Sequence, residues 1–144
     1  MSLKIRPAQD TDYPQVKKLL EELDLYYSGL EFKDFWVAEE KGKIVGTAQL
    51  EEFPDFLFLG SVGIAADQQK HGIAKALLDT MLKNHKIDVY LYTIIPEFFK
   101  KFGFEPITPH SPFRIPHSEL PTKERYECAD CHLDRCITMV KHAA

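Results

Sequence analysis

The stretch Ser61-Val62-Gly63-Ile64-Ala65-Ala66-Asp67-Gln68-Gln69-Lys70-His71-Gly72-Ile73-Ala74-Lys75-Ala76-Leu77-Leu78 decides how the chain folds. Its first residues close an apolar run that begins at Phe56, as a buried central strand does. Its last residues open a helix with Ile73, Ala76, Leu77, Met81 and Leu82 on one side. A short polar loop joins the two. The first turn of a helix leaves backbone N–H groups unpaired, and the peptide dipoles add partial positive charge there. Such an end suits a phosphate. Gly72 lets an oxygen approach the backbone closely, and small Ala74 keeps the next position clear. Spacing alone leaves a second reading open, a strand–loop–helix crossover in which Gly72 only eases a turn.

Upstream, Leu3-Lys4-Ile5-Arg6 alternates as a half-buried strand, and Pro7 ends it. Asp10-Thr11-Asp12 offers caps for a helix whose apolar stripe is Tyr13, Val16, Leu19, Leu20 and Leu23, with Pro14 tolerated in the first turn. Phe35 to Ala38 and Ile44 to Leu50 read as a hairpin turning through Lys41-Gly42. Downstream, Asp88 to Thr93 returns to strand, and Pro96 opens a short helix carrying Phe98, Phe99 and Phe102 that Gly103 closes. Phe104 to Ile107 starts another strand, and Ile137 to Val140 forms a closing one. The order predicts a mixed α/β (α+β) domain over residues 1–144, with a mostly antiparallel sheet flanked by helices. No repeat or linker divides it. Residues 108 to about 135 are irregular and hold four of the nine prolines, and a segment that long without regular structure usually signals function or mobility.

With 144 residues, 44% apolar and 28% charged, the chain is large enough for one core. A net charge of −4 without a basic cluster argues against nucleic acid as a partner. No apolar run approaches the roughly 20 residues of a membrane span, which argues against a membrane partner, and the first residues lack the apolar core of a signal peptide. The cytoplasm is the expected compartment. The three cysteines, Cys128, Cys131 and Cys136, are an odd number, and in a reducing compartment they read as thiols or metal ligands rather than disulfides.

Gln69-x-x-Gly72-x-Ala74 resembles the [Arg/Gln]-x-x-Gly-x-[Gly/Ala] signature of the GCN5-related N-acetyltransferase (GNAT) superfamily. Phe98-Phe99-Lys100-Lys101-Phe102-Gly103-Phe104 resembles the family segment that packs beside the pantetheine arm of coenzyme A. Ile5-Arg6-Pro7-Ala8 with Asp12, and the hairpin ending Ile44-Val45-Gly46, also match family habits. The likeness covers about residues 3–107. It implies the GNAT fold, acetyl-CoA as cosubstrate, and direct attack of a substrate amine on the thioester in a ternary complex. The cofactor-binding residues it implies are Val62, Gly63 and Ile64 for the pantetheine, through backbone groups of a strand that splays from its neighbour. Gln69, Lys70, His71, Gly72, Ile73, Ala74 and Lys75 would hold the pyrophosphate, and Phe99 and Lys101 would line the arm. Many relatives carry a Tyr where this chain has Phe99, so the leaving thiolate has no acid there.

An ammonium has no lone pair, so a base must take its proton. Glu51 and Glu52 are the catalytic candidates, with Tyr92 and His71 behind them. Against that stands a plain reading of both glutamates as solvated charges at a strand end. The segment with Leu120-Pro121-x-Lys123 resembles bacterial N-acetylglutamate synthases and their small single-domain relatives, which implies the α-amine of glutamate or another amino acid as acceptor. Arg114, Lys123 and Arg125 would then meet its carboxylate. Cys128-x-x-Cys131 with Cys136 resembles part of a zinc site, which His132 or His117 could complete. The missing second pair and the adjacency of His132 to Cys131 favour reduced thiols over zinc. Family members often form homodimers. Two other classes compete: an acyl-CoA-binding module without turnover, and an acetyltransferase of protein or peptide amines.

Overall fold

In the computed structural model, the described residues are 3–68, 72–83, 85–107, 120–121 and 137–143. The elements run β1 (Leu3–Pro7), α1 (Tyr13–Glu22), β2 (Phe35–Glu40), β3 (Lys43–Glu52), β4 (Leu57–Ile64), α2 (Ile73–Met81), β5 (Val89–Thr93), α3 (Pro96–Lys100), β6 (Glu105–Pro106) and β7 (Ile137–Lys141). They build one seven-stranded sheet in the order β1-β2-β3-β4-β5-β7-β6. Among the described residues every strand pairing is antiparallel except β4 with β5. The mixed, mostly antiparallel sheet with flanking helices is the architecture expected.

Local chemistry accounts for most boundaries. The β2–β3 turn puts both Lys41 and Gly42 at positive φ, 52° and 81°, the geometry that matches the twist of a two-residue hairpin. The caps predicted at Asp10-Thr11-Asp12 instead form a turn of 3-10 helix, and Asp12 reaches back to accept the Gln9 N–H at 2.7 Å. The strand predicted over Phe104 to Ile107 shortens to Glu105–Pro106, although the Ile107 N–H still donates to the Thr138 carbonyl of β7 at 2.9 Å. Phe104 itself is buried beneath the sheet.

Helices cover both faces. Leu77, Leu78 and Met81 of α2 pack with Leu59, Val89, Leu91, Phe99, Phe104 and Met139 on one face. Val16, Leu19 and Leu20 of α1 pack with Tyr27, Phe35 and Val37 on the other. A smaller cluster of Phe56, Phe58, Tyr90 and Val140 gathers Leu120.

Two features distort or brace this frame. Thr47 registers with Gly63 while Gln49 registers with Gly60, so β4 carries one residue more than β3 across that interval. The bulge places Ser61 at φ 53°, a conformation a side chain disfavours, and the buried Thr47 hydroxyl donates to the Ser61 carbonyl at 3.1 Å. At the sheet's edge, Arg6 donates to both carboxylate oxygens of Asp12, at 2.6 and 3.0 Å, and to Glu39 at 2.7 Å. This planar fork ties β1, β2 and the start of α1 together.

Three expectations follow. Thr47→Val should lower unfolding stability by about 1 kcal/mol through the lost bond. Ser61→Gly should raise it by about 0.5 kcal/mol, because relief of the positive φ outweighs the added chain entropy. Urea unfolding measures both. The Arg6 guanidinium holds the Asp12 carboxyl below its ordinary value, helped by the Gln9 N–H and opposed by burial. A carboxylate lowered on folding stabilises above its unfolded value and loses that contribution as pH falls through the folded one. Asp12→Asn should therefore be less stable than the parent near neutral pH, and the two stabilities should converge in acid. Parallel melts across pH would show a constant gap if Asp12 acts only through its shape.

Candidate active site

Strands β4 and β5 are registered at only two positions, Leu57 with Val89 and Phe58 with Tyr90. Beyond Phe58, β4 runs six residues further to Ile64 with no β5 residue registered to it. The strands part in a V, and the parallel pair that feeds α2 opens a cleft at its carboxyl end. A groove of about 640 Å³ occupies it, lined among others by Val62, Ile64, Gln68, Gly72, Ala74 and Phe99.

One wall is the start of α2. Gly72 sits there at φ 75°, a left-handed conformation that favours glycine, and a Cβ built on it would meet no described atom within 4 Å. The Gly72 carbonyl accepts the first helical bond from the Ala76 N–H at 3.1 Å. The amides of Ile73, Ala74 and Lys75 belong to the first turn and have no partner within the helix.

The opposite wall is aromatic. Phe98 meets Phe99 edge-on at 5.0 Å and leans on Phe102 at 5.3 Å, while Phe99 is edge-on to Phe104 at 5.9 Å. Phe99 is buried, so this rigid stack has a fixed face. Ile95 lines the same groove with 55% of its surface exposed. An apolar wall this open suits an apolar or amphipathic ligand.

Charge in the groove comes from Lys75, Lys101 and Asp79. The Lys75 ammonium lies 2.6 Å from Asp79, one helical turn on, whereas Lys101 has no ion pair among the described residues. Lys101 is therefore the readier cation for a phosphate.

Of the cofactor residues expected, Val62, Ile64, Gly72, Ile73, Ala74, Lys75, Phe99 and Lys101 line one groove. Gly63 turns the other way, and a Cβ there would lie 2.8 Å from Leu23 and 2.9 Å from Leu25. Its small size serves the approach of the chain after α1 to the sheet. Gln69, Lys70 and His71 lie outside the described residues, as do Arg114, Lys123, Arg125, Cys128, Cys131 and Cys136. Gln68, Ile95, Phe98 and Phe102 also line the groove, though they were not among the site residues expected. Phe98 and Phe102 stand inside the aromatic motif, and that spacing could have flagged them.

The two candidate bases separate by face. Glu51 registers with Phe58, whose side chain packs with Tyr90 on the α1 side, level with the last β4–β5 pair. Glu52 registers with Leu57 and borders a different hollow, lined by Trp36, Leu50 and His85 on the α2 side. Nearby, burial first and the charges of Glu51 and Glu52 besides push the Asp34 carboxyl above its ordinary value, against Lys33. Three acidic groups therefore gather at this end of β3. Tyr92 donates its hydroxyl to the Pro121 carbonyl, a bond that seats Leu120-Pro121 on the sheet.

A family model described as an acetyltransferase (GNAT) domain matches residues 31–106. Among solved structures, N-acetylglutamate synthase from Neisseria gonorrhoeae, complexed with coenzyme A and N-acetyl-glutamate, superposes with a TM-score of 0.73 at 18% identity. The match covers 100% of this chain and 36% of the synthase, so the chain spans about a third of that protein's length. Rv2747 from Mycobacterium tuberculosis, solved with CoA, gives 0.71 at 22% identity over 98% of this chain and 99% of its own. Naa50 from Arabidopsis thaliana, in complex with the bisubstrate analogue CoA-Ac-MVNAL, gives 0.67 at 20% over 98% and 99%. At such identities the likeness concerns the fold. A comparison with curated protein sequences finds no significant match.

Gly72 provides the test of the groove. Gly72→Ala should lower stability by about 1–2 kcal/mol through the positive φ alone. Gly72→Glu adds a carboxylate where an anion would sit. It should match the alanine variant in stability yet weaken coenzyme A binding at least tenfold more, as read by calorimetric titration. Equal affinities in the two variants would remove the anion from this site.

Proposed function

The chain belongs to the acetyltransferase (GNAT) family, and on that premise we propose that it transfers the acetyl group of acetyl-CoA to a primary amine, the α-amine of glutamate or another amino acid. The observation that carries the proposal is one groove that joins the N-terminus of α2 to the part of β4, at Val62 and Ile64, that has no registered β5 partner. An extended ligand with phosphate at one end and a thioester at the other fits that layout. The pyrophosphate would rest on the N–H groups around Gly72 with Lys101 beside it. The pantetheine arm would run along β4 past Val62 and Ile64, its amides taking the place of a neighbouring strand, with Phe98, Phe99 and Phe102 opposite. The thioester would then lie near the apex of the V.

In that arrangement the neutral amine attacks the carbonyl carbon, a C–N bond forms and the C–S bond breaks, and coenzyme A leaves as a thiolate. Of the two carboxylates, Glu51 is the better base by position, since it stands level with the apex while Glu52 faces the opposite side. The Glu51 carboxylate takes the amine proton directly or through water. Phe99 offers no proton, so the thiolate is protonated from solvent. The same lack of an acid motivates the competing reading, an acyl-CoA-binding module without turnover. The likeness to Naa50 motivates a third, a peptide amine as acceptor.

Thiol release from acetyl-CoA, followed across amino acids, polyamines and peptides, separates these. Turnover with glutamate or another amino acid is the expected result. Glu51→Gln should lower kcat by roughly 10²–10⁴-fold, the span of a general base, and Glu52→Gln should change it little. Acetyl-CoA at ~100 times its Kd should stabilise the fold by ~2.7 kcal/mol. That stabilisation without turnover of any amine would favour the binding module, and its absence together with absent turnover would end the proposal.

A further inference from the structure

Gln49 lies in the middle of β3 and is 97% buried, with 3% of its surface exposed. It registers with Phe35 on one side and Gly60 on the other, so its side chain shares the α1 face with Phe35. A primary amide has two donors and an acceptor oxygen to satisfy. The Tyr27 hydroxyl donates to Oε1 at 3.4 Å, and the NH₂ group has no hydrogen-bond partner among the described residues. Among the described residues that nitrogen is not sealed from solvent, so it keeps an opening there.

The opening has a matching gap across the ladder. A Cβ built on Gly60 meets no described atom within 4 Å. Gly60 does not have a positive φ, so neither backbone conformation nor crowding by described residues requires glycine there. It stands just before the Ser61 bulge and two residues past Phe58, where β4 leaves β5. Among the described residues, a buried donor without a partner and a residue without a side chain thus lie at one register position beside the apex. Glu51 is two residues along the same strand and face, about 6.5 Å from Gln49 between Cα atoms.

Building on the proposed acetyltransferase activity, we infer that the Gln49 amide is a positioning residue for the acceptor. Its NH₂ donates to the carboxylate or carbonyl oxygen next to the acceptor amine while Glu51 receives the amine. The carboxylate of an α-amino acid and the first carbonyl of a peptide present the same oxygen. A plain alkylamine presents none. Gln49 therefore selects amines that carry an adjacent sp² oxygen.

Gln49→Met removes the amide at nearly constant volume and tests the inference through substrate choice. Three acceptors are compared: glutamate, a short peptide with a free N-terminus, and an alkylamine of similar length. The variant should raise KM at least tenfold for the acceptor bearing the oxygen. It should leave kcat for that acceptor, KM for acetyl-CoA and turnover of the alkylamine within about twofold. Loss confined to glutamate identifies a carboxylate ligand, and loss confined to the peptide identifies a carbonyl. Equal loss for the alkylamine, or no loss for any acceptor, overturns the role. An acetyl-CoA-induced melting shift equal to the parent's shows that the variant is folded. If Gln49→Met does not fold, Gln49→Glu keeps an acceptor for Tyr27 and should reject glutamate more strongly than the alkylamine. A parent protein that turns over no amine overturns the proposed activity itself, whereas turnover with unaltered selectivity overturns only the role of Gln49.

Discussion

Backbone hydrogen bonding between β4 and β5 is the constraint on which the rest of the structure depends. Two residue pairs join these strands, and then β4 continues without its neighbour. Buried N–H and C=O groups need partners, so a strand edge left open inside a sheet is a place for something else to bind. The closed part holds the two halves of the sheet together, and the open part makes the groove. The local strain at Ser61 belongs to the same event: the bulge turns β4 as it leaves β5, and the Thr47 hydroxyl steadies the carbonyl that the bulge displaces.

The packing around the V is asymmetric, and this divides the chemistry. On the α2 side, Leu59, Leu77 and Phe99 form a dense apolar layer up to the groove wall. On the α1 side, Gln49, Glu51 and Gly60 bring polar groups and open space to the same level of the sheet. A ligand lying along β4 would meet apolar side chains and helix N–H groups on one side. An amine arriving from the other would meet carboxylates. The neighbouring Asp34 and Glu51 carboxylates fit an approach by a cation.

The hairpin, the helical stripes and the Gly72 turn were legible from the order of residues, because each rests on local physics. Lys41-Gly42 permits a two-residue turn, Val16, Leu19 and Leu20 recur at helical spacing, and Gly72 alone in its loop tolerates a left-handed φ. The role of the Phe98–Phe104 segment beside a ligand came from its resemblance to a family motif, which singled out Phe99 and left Phe98 and Phe102 aside. The separation of Glu51 from Glu52 was latent in the two-residue period of a strand, although adjacency in sequence made them look equivalent.

The sequence by itself determined most of the elements, their order and the glycine-led start of α2, since those depend on residues within a turn or two of one another. Only the tertiary structure decided where β4 parts from β5, that no described atom fills the space at Gly60 opposite Gln49, and which glutamate shares that face. Each of those depends on register between strands, and register is set by side chains far apart in the chain packing on a common face. The stretch from Ser61 to Leu78 named the strand and the helix. The pairing of Phe58 with Tyr90 fixed where the cleft between them begins.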